Sequence, residues 1–170
     1  LVVTSGGQEG LCLAFEALKS LGVRRVFFEE LTYPDAPRIA RGVGLAVCPL
    51  PFEEAPLVEA LGEAGPADGV YLVPSFHNPT GRTLSVEARK ALLERSAARG
   101  FWILEDDTYG ELRYGEASVP ALKALEGSDR VVYVGSFSQV LLPGWRTGYI
   151  LAPEAVLSPL CALKDLRVGA

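Results

Sequence analysis

Ser136, Ser138 and Arg146 bring two hydroxyls and one forked cation into a short stretch, VVYVGSFSQVLLPGWRTGYI, residues 131–150. Such a set suits a phosphate or a carboxylate, because a planar guanidinium can meet two anionic oxygens at once. The run before it, Val131-Val132-Tyr133-Val134, reads as a buried strand, which Gly135-Ser136-Phe137-Ser138 is expected to break. The hydroxyls then stand at the carboxyl end of a strand, where open α/β sheets bind their ligands. Taken alone, the stretch is explained equally well as a polar turn beside a surface arginine.

Other strand ends carry polar groups of the same kind. Thr4-Ser5-Gly6-Gly7-Gln8-Glu9-Gly10 separates an opening strand from an amphipathic helix whose Leu11, Ala14, Phe15, Leu18 and Leu21 fall at helical spacing, with Gly22 closing it. Backbone N–H groups and the positive end of a helix dipole meet there, a combination that attracts phosphate, although the spacing matches neither common phosphate-loop pattern. Tyr33 follows the strand 24–30 and is held by Pro34; it could stack on a ligand or pack on the proline. Pro74-Ser75-Phe76-His77-Asn78-Pro79-Thr80-Gly81 follows the strand 70–73, and its Asn-Pro pair favours a turn. Glu105-Asp106-Asp107-Thr108-Tyr109 follows the strand 101–104. Clustered acids after an apolar strand need a partner, either a hard metal ion or a cationic ring nitrogen, and no second acidic cluster at a strand end completes a metal site.

These groups need a scaffold that gathers strand ends, and the rest of the chain supplies one. Further strands are expected at 45–50 and 148–152. Helices are expected at 53–63, with an acidic solvated face, at 85–99 with Ser85 as N-cap and Gly100 as terminator, near 120–125 after a loop from Tyr114, and from Pro153 onward. Strands alternating with helices imply a three-layer α/β/α fold. The link between residues 135 and 147 is too short for a helical crossover, so the sheet is expected to be mostly parallel with one antiparallel strand.

Composition bounds the function. The net charge of −5 among 170 residues leaves no basic stripe for nucleic acid. No apolar run is long enough to span a bilayer, so no membrane partner is expected. Cys12, Cys48 and Cys161 lack metal or redox spacing and read as reduced core thiols of a cytoplasmic protein; the single His77 gives a histidine metal site or a catalytic triad little to draw on. The chain contains no methionine, and its mean hydropathy is +0.22. Residues 1–170 are therefore expected to be one domain cut from a longer protein, with apolar surface awaiting a partner.

The order of these clusters resembles the large domain of class I/II aminotransferases, in particular the 2-aminoadipate-type transaminases and the aminotransferase-like half of GntR/MocR regulators. The likeness runs from Ser5-Gly6-Gly7-Gln8 through Tyr33-Pro34, Asn78-Pro79-Thr80-Gly81 and Asp106 with Tyr109, to Ser136-Phe137-Ser138 and Pro143-Gly144-Trp145-Arg146. It implies pyridoxal 5′-phosphate (PLP) as cofactor, amino acids and 2-oxo acids as substrates, and a homodimer. Gly7, Gln8, Ser136, Ser138 and Arg146 would hold the phosphate, Tyr33 would stack on the ring, Asn78 and Tyr109 would bond its phenolic oxygen, and Asp106 would pair with the ring nitrogen. One departure stands out: where the family has its Schiff-base lysine, this chain has Gln139. An amide can serve neither as nucleophile nor as proton shuttle. The resemblance thus implies an aminotransferase of low activity as written, or a non-catalytic PLP-binding sensor domain, or an empty scaffold. The glutamine is compatible with an engineered trap and with a protein that has given up catalysis.

Overall fold

The computed structural model describes residues 1–112, 119–141 and 143–168; the loop expected from Tyr114 falls largely outside them. The elements run β1 (Val2–Thr4), α1 (Gly7–Ser20), β2 (Arg25–Glu29), α2 (Asp35–Val43), β3 (Ala46–Leu50), α3 (Glu54–Ala60), β4 (Asp68–Leu72), α4 (Val86–Arg99), β5 (Trp102–Asp106), β6 (Val131–Ser136), β7 (Gly148–Leu151) and α5 (Glu154–Val168). Between β5 and β6, Leu122–Ala124 form a 3-10 helix where a short helix is expected.

Among the described residues the strands form one seven-stranded sheet in the order β1-β7-β6-β5-β4-β2-β3. β7 is antiparallel to both its neighbours, and the pairs from β6 to β3 are all parallel. The expected fold class is therefore the one observed.

Strand alternation divides the core in two. Tyr71, Val73, Trp102, Leu104, Val132 and Val134 face one side, where they meet Leu11, Phe15 and Leu18 of α1 and Val156 and Leu160 of α5. Val70, Leu72, Ile103 and Val131 face the other side and meet Leu57 of α3 and Leu92 and Leu93 of α4. Each fully buried side chain of this size contributes about 1.5–3 kcal/mol relative to exposure, so the two apolar layers lock the sheet between helices.

Several local readings hold because their cause is local. Ser85 Oγ accepts the Ala88 N–H at 3.1 Å as the N-cap of α4, and Gly100 ends that helix at φ 81°. Others are corrected. β6 does not stop at Val134: Gly135 and Ser136 stay in register with Tyr149 and Gly148 of β7, so the ladder continues through the supposed break. Glu105 and Asp106 belong to β5 itself, and α1 already begins at Gly7. The acidic face before β4 is not wholly solvated, since the Glu54 carboxylate accepts the Ser85 N–H and hydroxyl at 2.9 and 2.7 Å. The cysteines are free but not core residues: Cys12 and Cys48 are half-buried and Cys161 is exposed. Among the described residues no helix is long and apolar enough to cross a membrane.

Candidate active site

A cleft of about 200 Å³ opens at the carboxyl ends of β5 and β6, against the start of α1. Gly7, Gln8, Tyr33, Asn78, Asp106, Tyr109, Ser136, Ser138, Gln139 and Arg146 all line it. Every site residue expected from the sequence thus stands at one place. Gly6, Leu11, Val73 and Thr108 line it as well.

One end of the cleft gathers backbone amides, two hydroxyls and a guanidinium. The first intrahelical bond of α1 runs from Gly10 N–H to Gly6 O, so the amides of Gly7, Gln8 and Glu9 have no acceptor within the helix. Gly6, at φ 86°, caps α1 without any side-chain bond. A Cβ on Gly7 would stand in ordinary contact with Thr108 Oγ1 at 3.4 Å and Ser136 Cβ at 3.5 Å, and one on Gly6 at 3.9 Å from Arg146 Nη2. The helix start thus lies beside the serine strand and the arginine, and at Gly6 the positive φ is what favours glycine. Space decides at Gly148 on β7, where a Cβ would lie 2.8 Å from the Gly6 carbonyl carbon. Ser138 N–H donates to Ser136 Oγ at 3.3 Å, and the N–H groups of Val140 and Leu141 both turn back to the Phe137 carbonyl. That turn presents Gln139, which is exposed.

At the other end lies Asp106. Alternation along β5 sends it to the α1 side with Trp102 and Leu104, while Glu105 and Asp107 leave for the opposite face. Glu105 accepts the N–H groups of Leu122 and Lys123 at 2.7 and 2.9 Å, and Asp107 accepts the Tyr133 hydroxyl at 3.0 Å. The three acids therefore form no single cluster. Asp106 Oδ1 takes the Thr108 hydroxyl at 2.7 Å and Oδ2 takes the Tyr71 hydroxyl at 2.7 Å. Burial pushes the Asp106 carboxyl above the usual range, and those donors oppose the rise without cancelling it. The Tyr71 hydroxyl, itself fully buried, is pushed well above its ordinary value by desolvation and by the Asp106 charge.

Tyr33, half-buried, donates its hydroxyl to Asp35 Oδ2 at 3.1 Å, so it is tethered to the start of α2 and not merely packed on Pro34. Asn78 reaches the cleft from a turn whose Asn78–Pro79 peptide is cis. Sequence reading missed Thr108 and Tyr71. Thr108 lies between Asp106 and Tyr109 and carried a signal, a hydroxyl two residues after a buried acid. Tyr71 sits inside an apolar strand, and only its even spacing with Val73 on the cleft side hinted at a role.

The chain belongs to the aminotransferase class I and II family, whose profile matches residues 1–166. This family depends on pyridoxal phosphate. Among relatives, the 2-aminoadipate transaminase of Thermus thermophilus is 38% identical over 172 residues, covering 97% of this chain and 43% of the relative. The HTH-type transcriptional regulator TauR of Rhodobacter capsulatus is 38% identical over 164 residues, covering 96% and 34%. Among solved structures, the α-aminoadipate aminotransferase LysN of Thermus thermophilus, complexed with N-(5′-phosphopyridoxyl)-L-leucine, matches with a TM-score of 0.86 at 35% identity, over 98% of this chain and 44% of that one. This chain thus spans less than half the length of these relatives.

Proposed function

We propose that the cleft is a pyridoxal 5′-phosphate site and that the protein carrying this chain is an aminotransferase acting on an amino acid and a 2-oxo acid. In this reading residues 1–170 are the PLP-binding large domain of a longer protein, in keeping with the 43% coverage of the transaminase. The observation that carries it is the meeting, in one cleft, of an amide-rich helix start, two serines, an arginine and a buried carboxylate.

The donor set fits the group. Gly7 and Gln8 N–H, the Ser136 and Ser138 hydroxyls and Arg146 would hold the phosphate, Tyr33 the ring face, and Asn78 and Tyr109 the phenolic oxygen. Asp106 would take the ring N–H. A carboxylate held up by desolvation gains from a cationic partner, and Tyr71 and Thr108 orient both its oxygens for that role. When bound, the group supplies a sink for the electron pair left at the substrate Cα. Keeping the ring nitrogen protonated is Asp106's share of that chemistry.

Gln139 limits the reaction. Its amide can bond an oxygen but cannot move a proton, and a positioned general base contributes about 10²–10⁴-fold to a proton transfer. We therefore expect PLP held without a covalent link and slow turnover. The same residue favours a second reading, a PLP-binding sensor domain without turnover; the likeness to TauR, a transcriptional regulator by name, supports it. A homodimer closing over the cleft belongs to either reading, supported by exposed Phe137, Leu141 and Trp145 on the β6–β7 link. Free cysteines support a cytoplasmic setting.

The test is PLP titration of the full-length protein followed by borohydride reduction and peptide mapping of residues 131–146. We expect saturable binding with no pyridoxyl group on that peptide, and loss of binding in Asp106→Ala. Absence of saturable binding refutes the reading, and measurable amino-group transfer separates enzyme from sensor.

A further inference from the structure

Behind Asn78 lies a buried polar cluster that the cofactor reading leaves unused. His77 and Glu29 are both buried, at 1% and 2% exposure, and His77 Nε2 stands 3.3 Å from Glu29 Oε2. The approach is an ion-pair distance that lacks hydrogen-bonding geometry, and among the described residues neither atom has a hydrogen-bond partner. Glu29 Oε1 accepts Arg82 Nη2, and Arg82 Nη1 donates to the Phe52 carbonyl. The Phe52 ring stands edge-on to the imidazole at 5.4 Å and beneath the Arg82 guanidinium at 3.8 Å. On the other side of the ring, His77 Nδ1 lies 2.9 Å from Thr80 Oγ1.

The backbone closes the same knot. His77 N–H donates to the Arg82 carbonyl at 2.7 Å and the Gly81 N–H to the His77 carbonyl at 2.6 Å. Phe76, at φ 50°, occupies the left-handed region, which a bulky residue keeps only where its surroundings hold it. Its N–H donates to Thr83 Oγ1 at 3.1 Å, a further bond across the same turn. If Thr80 donates to Nδ1, the ring carries its N–H on Nε2, the nitrogen nearest Glu29.

We propose that His77 is a positioning residue of the cleft: clasped between Glu29 on β2 and Thr80 in the turn, it fixes the peptide that presents Asn78 to a ligand's phenolic oxygen. The proposal rests on the PLP reading for its ligand, and on the turn's geometry for its mechanism. His77 touches no reacting atom. Its effect passes entirely through Asn78, which makes the two residues energetically coupled.

The experiment is a double-mutant cycle on the full-length protein, with PLP affinity read by absorbance titration and amide hydrogen exchange of residues 77–84 read without ligand. His77→Ala and Asn78→Ala are each expected to weaken PLP binding about tenfold, and the double variant no further than Asn78→Ala alone. His77→Gln, which keeps an N–H for Glu29, is expected to restore most of the affinity. The Gly81 and Leu84 amides are expected to exchange at least about tenfold faster in His77→Ala. Multiplying effects in the double variant, or unchanged exchange rates, overturn the proposal. A wild-type protein that binds no PLP sinks the cofactor reading instead, and the exchange rates then still decide whether His77 holds the turn.

Discussion

The hydroxyl of Tyr71 on β4 donates to Asp106 Oδ2 on the neighbouring β5 at 2.7 Å, from a position wholly closed to solvent. The bond supports the ionised form of an acid that burial drives toward neutrality. Tyr71→Phe keeps the ring packing against Phe28 and Phe15 but strips the donor. Leaving a buried charged acceptor short of one bond costs about 1.5–3 kcal/mol. We expect urea denaturation at pH 8 to show a loss of that size and PLP titration to show weaker binding in the same variant. Unchanged values for both would mean that Asp106 needs no second donor.

Glu105 gives the clearest pH dependence. Desolvation, opposed by the Lys123 and Leu122 N–H bonds, lifts its carboxyl to about 7. An acid whose folded pKa exceeds its unfolded value near ~4.3 binds more protons in the folded state between those limits. Its contribution is therefore fully present at low pH and is lost as pH rises through that window, by roughly 3 kcal/mol. Asp106 and Asp107, also raised mainly by burial, act in the same direction. We expect Glu105→Gln to flatten the fall in melting temperature between pH 4.5 and pH 7. An unchanged slope would assign the dependence to other groups.

Ser85 joins two helices through one side chain. Its hydroxyl accepts the Ala88 N–H at 3.1 Å and donates to Glu54 Oε2 at 2.7 Å. Ser85→Ala removes both bonds, for an expected loss of about 1–2 kcal/mol. For a domain of this size that corresponds to a fall in melting temperature of roughly 2–8 °C, readable by calorimetry.

How much of this was legible depended on the range of each cause. The caps of α4 are set by Ser85 and Gly100 within one turn of the helix, and the chain declares them directly. The reversed β7 followed from a link too short for a crossover. The polar clusters were legible because they end otherwise apolar strands, which is costly without a ligand or partner, but the individual cleft residues were named through the resemblance to aminotransferases. What stayed hidden depended on distant partners. Gly135 and Ser136 remain in β6 because Tyr149 and Gly148 pair with them, and Glu54 leaves solvent because Ser85 lies opposite it. Tyr71 read as one more apolar strand residue, since nothing in a single strand reveals which neighbouring strand carries the acceptor for its hydroxyl.

Gln139 offers the sharpest test of what the site can still do. Its turn is set by backbone bonds from Val140 and Leu141 to Phe137 and by Ser138 N–H on Ser136 Oγ, none of which needs the residue 139 side chain. Gln139 is exposed at the cleft, so a longer cationic side chain meets no packed core there. Gln139→Lys is therefore expected to fold with unchanged stability, within about 0.5 kcal/mol. It places a primary amine beside the Ser136, Ser138 and Arg146 anion set. Incubation with PLP and borohydride should then leave a pyridoxyl group on the residue 131–146 segment of the variant and none on the parent, read by peptide mass mapping. A modified variant with restored amino-group transfer would identify Gln139 as the one group separating this site from a working transaminase. A variant that takes up the label but transfers nothing would place the loss elsewhere and strengthen the sensor reading. A variant that stays unlabelled, although the parent binds PLP saturably, would show that residue 139 does not face the cofactor carbonyl.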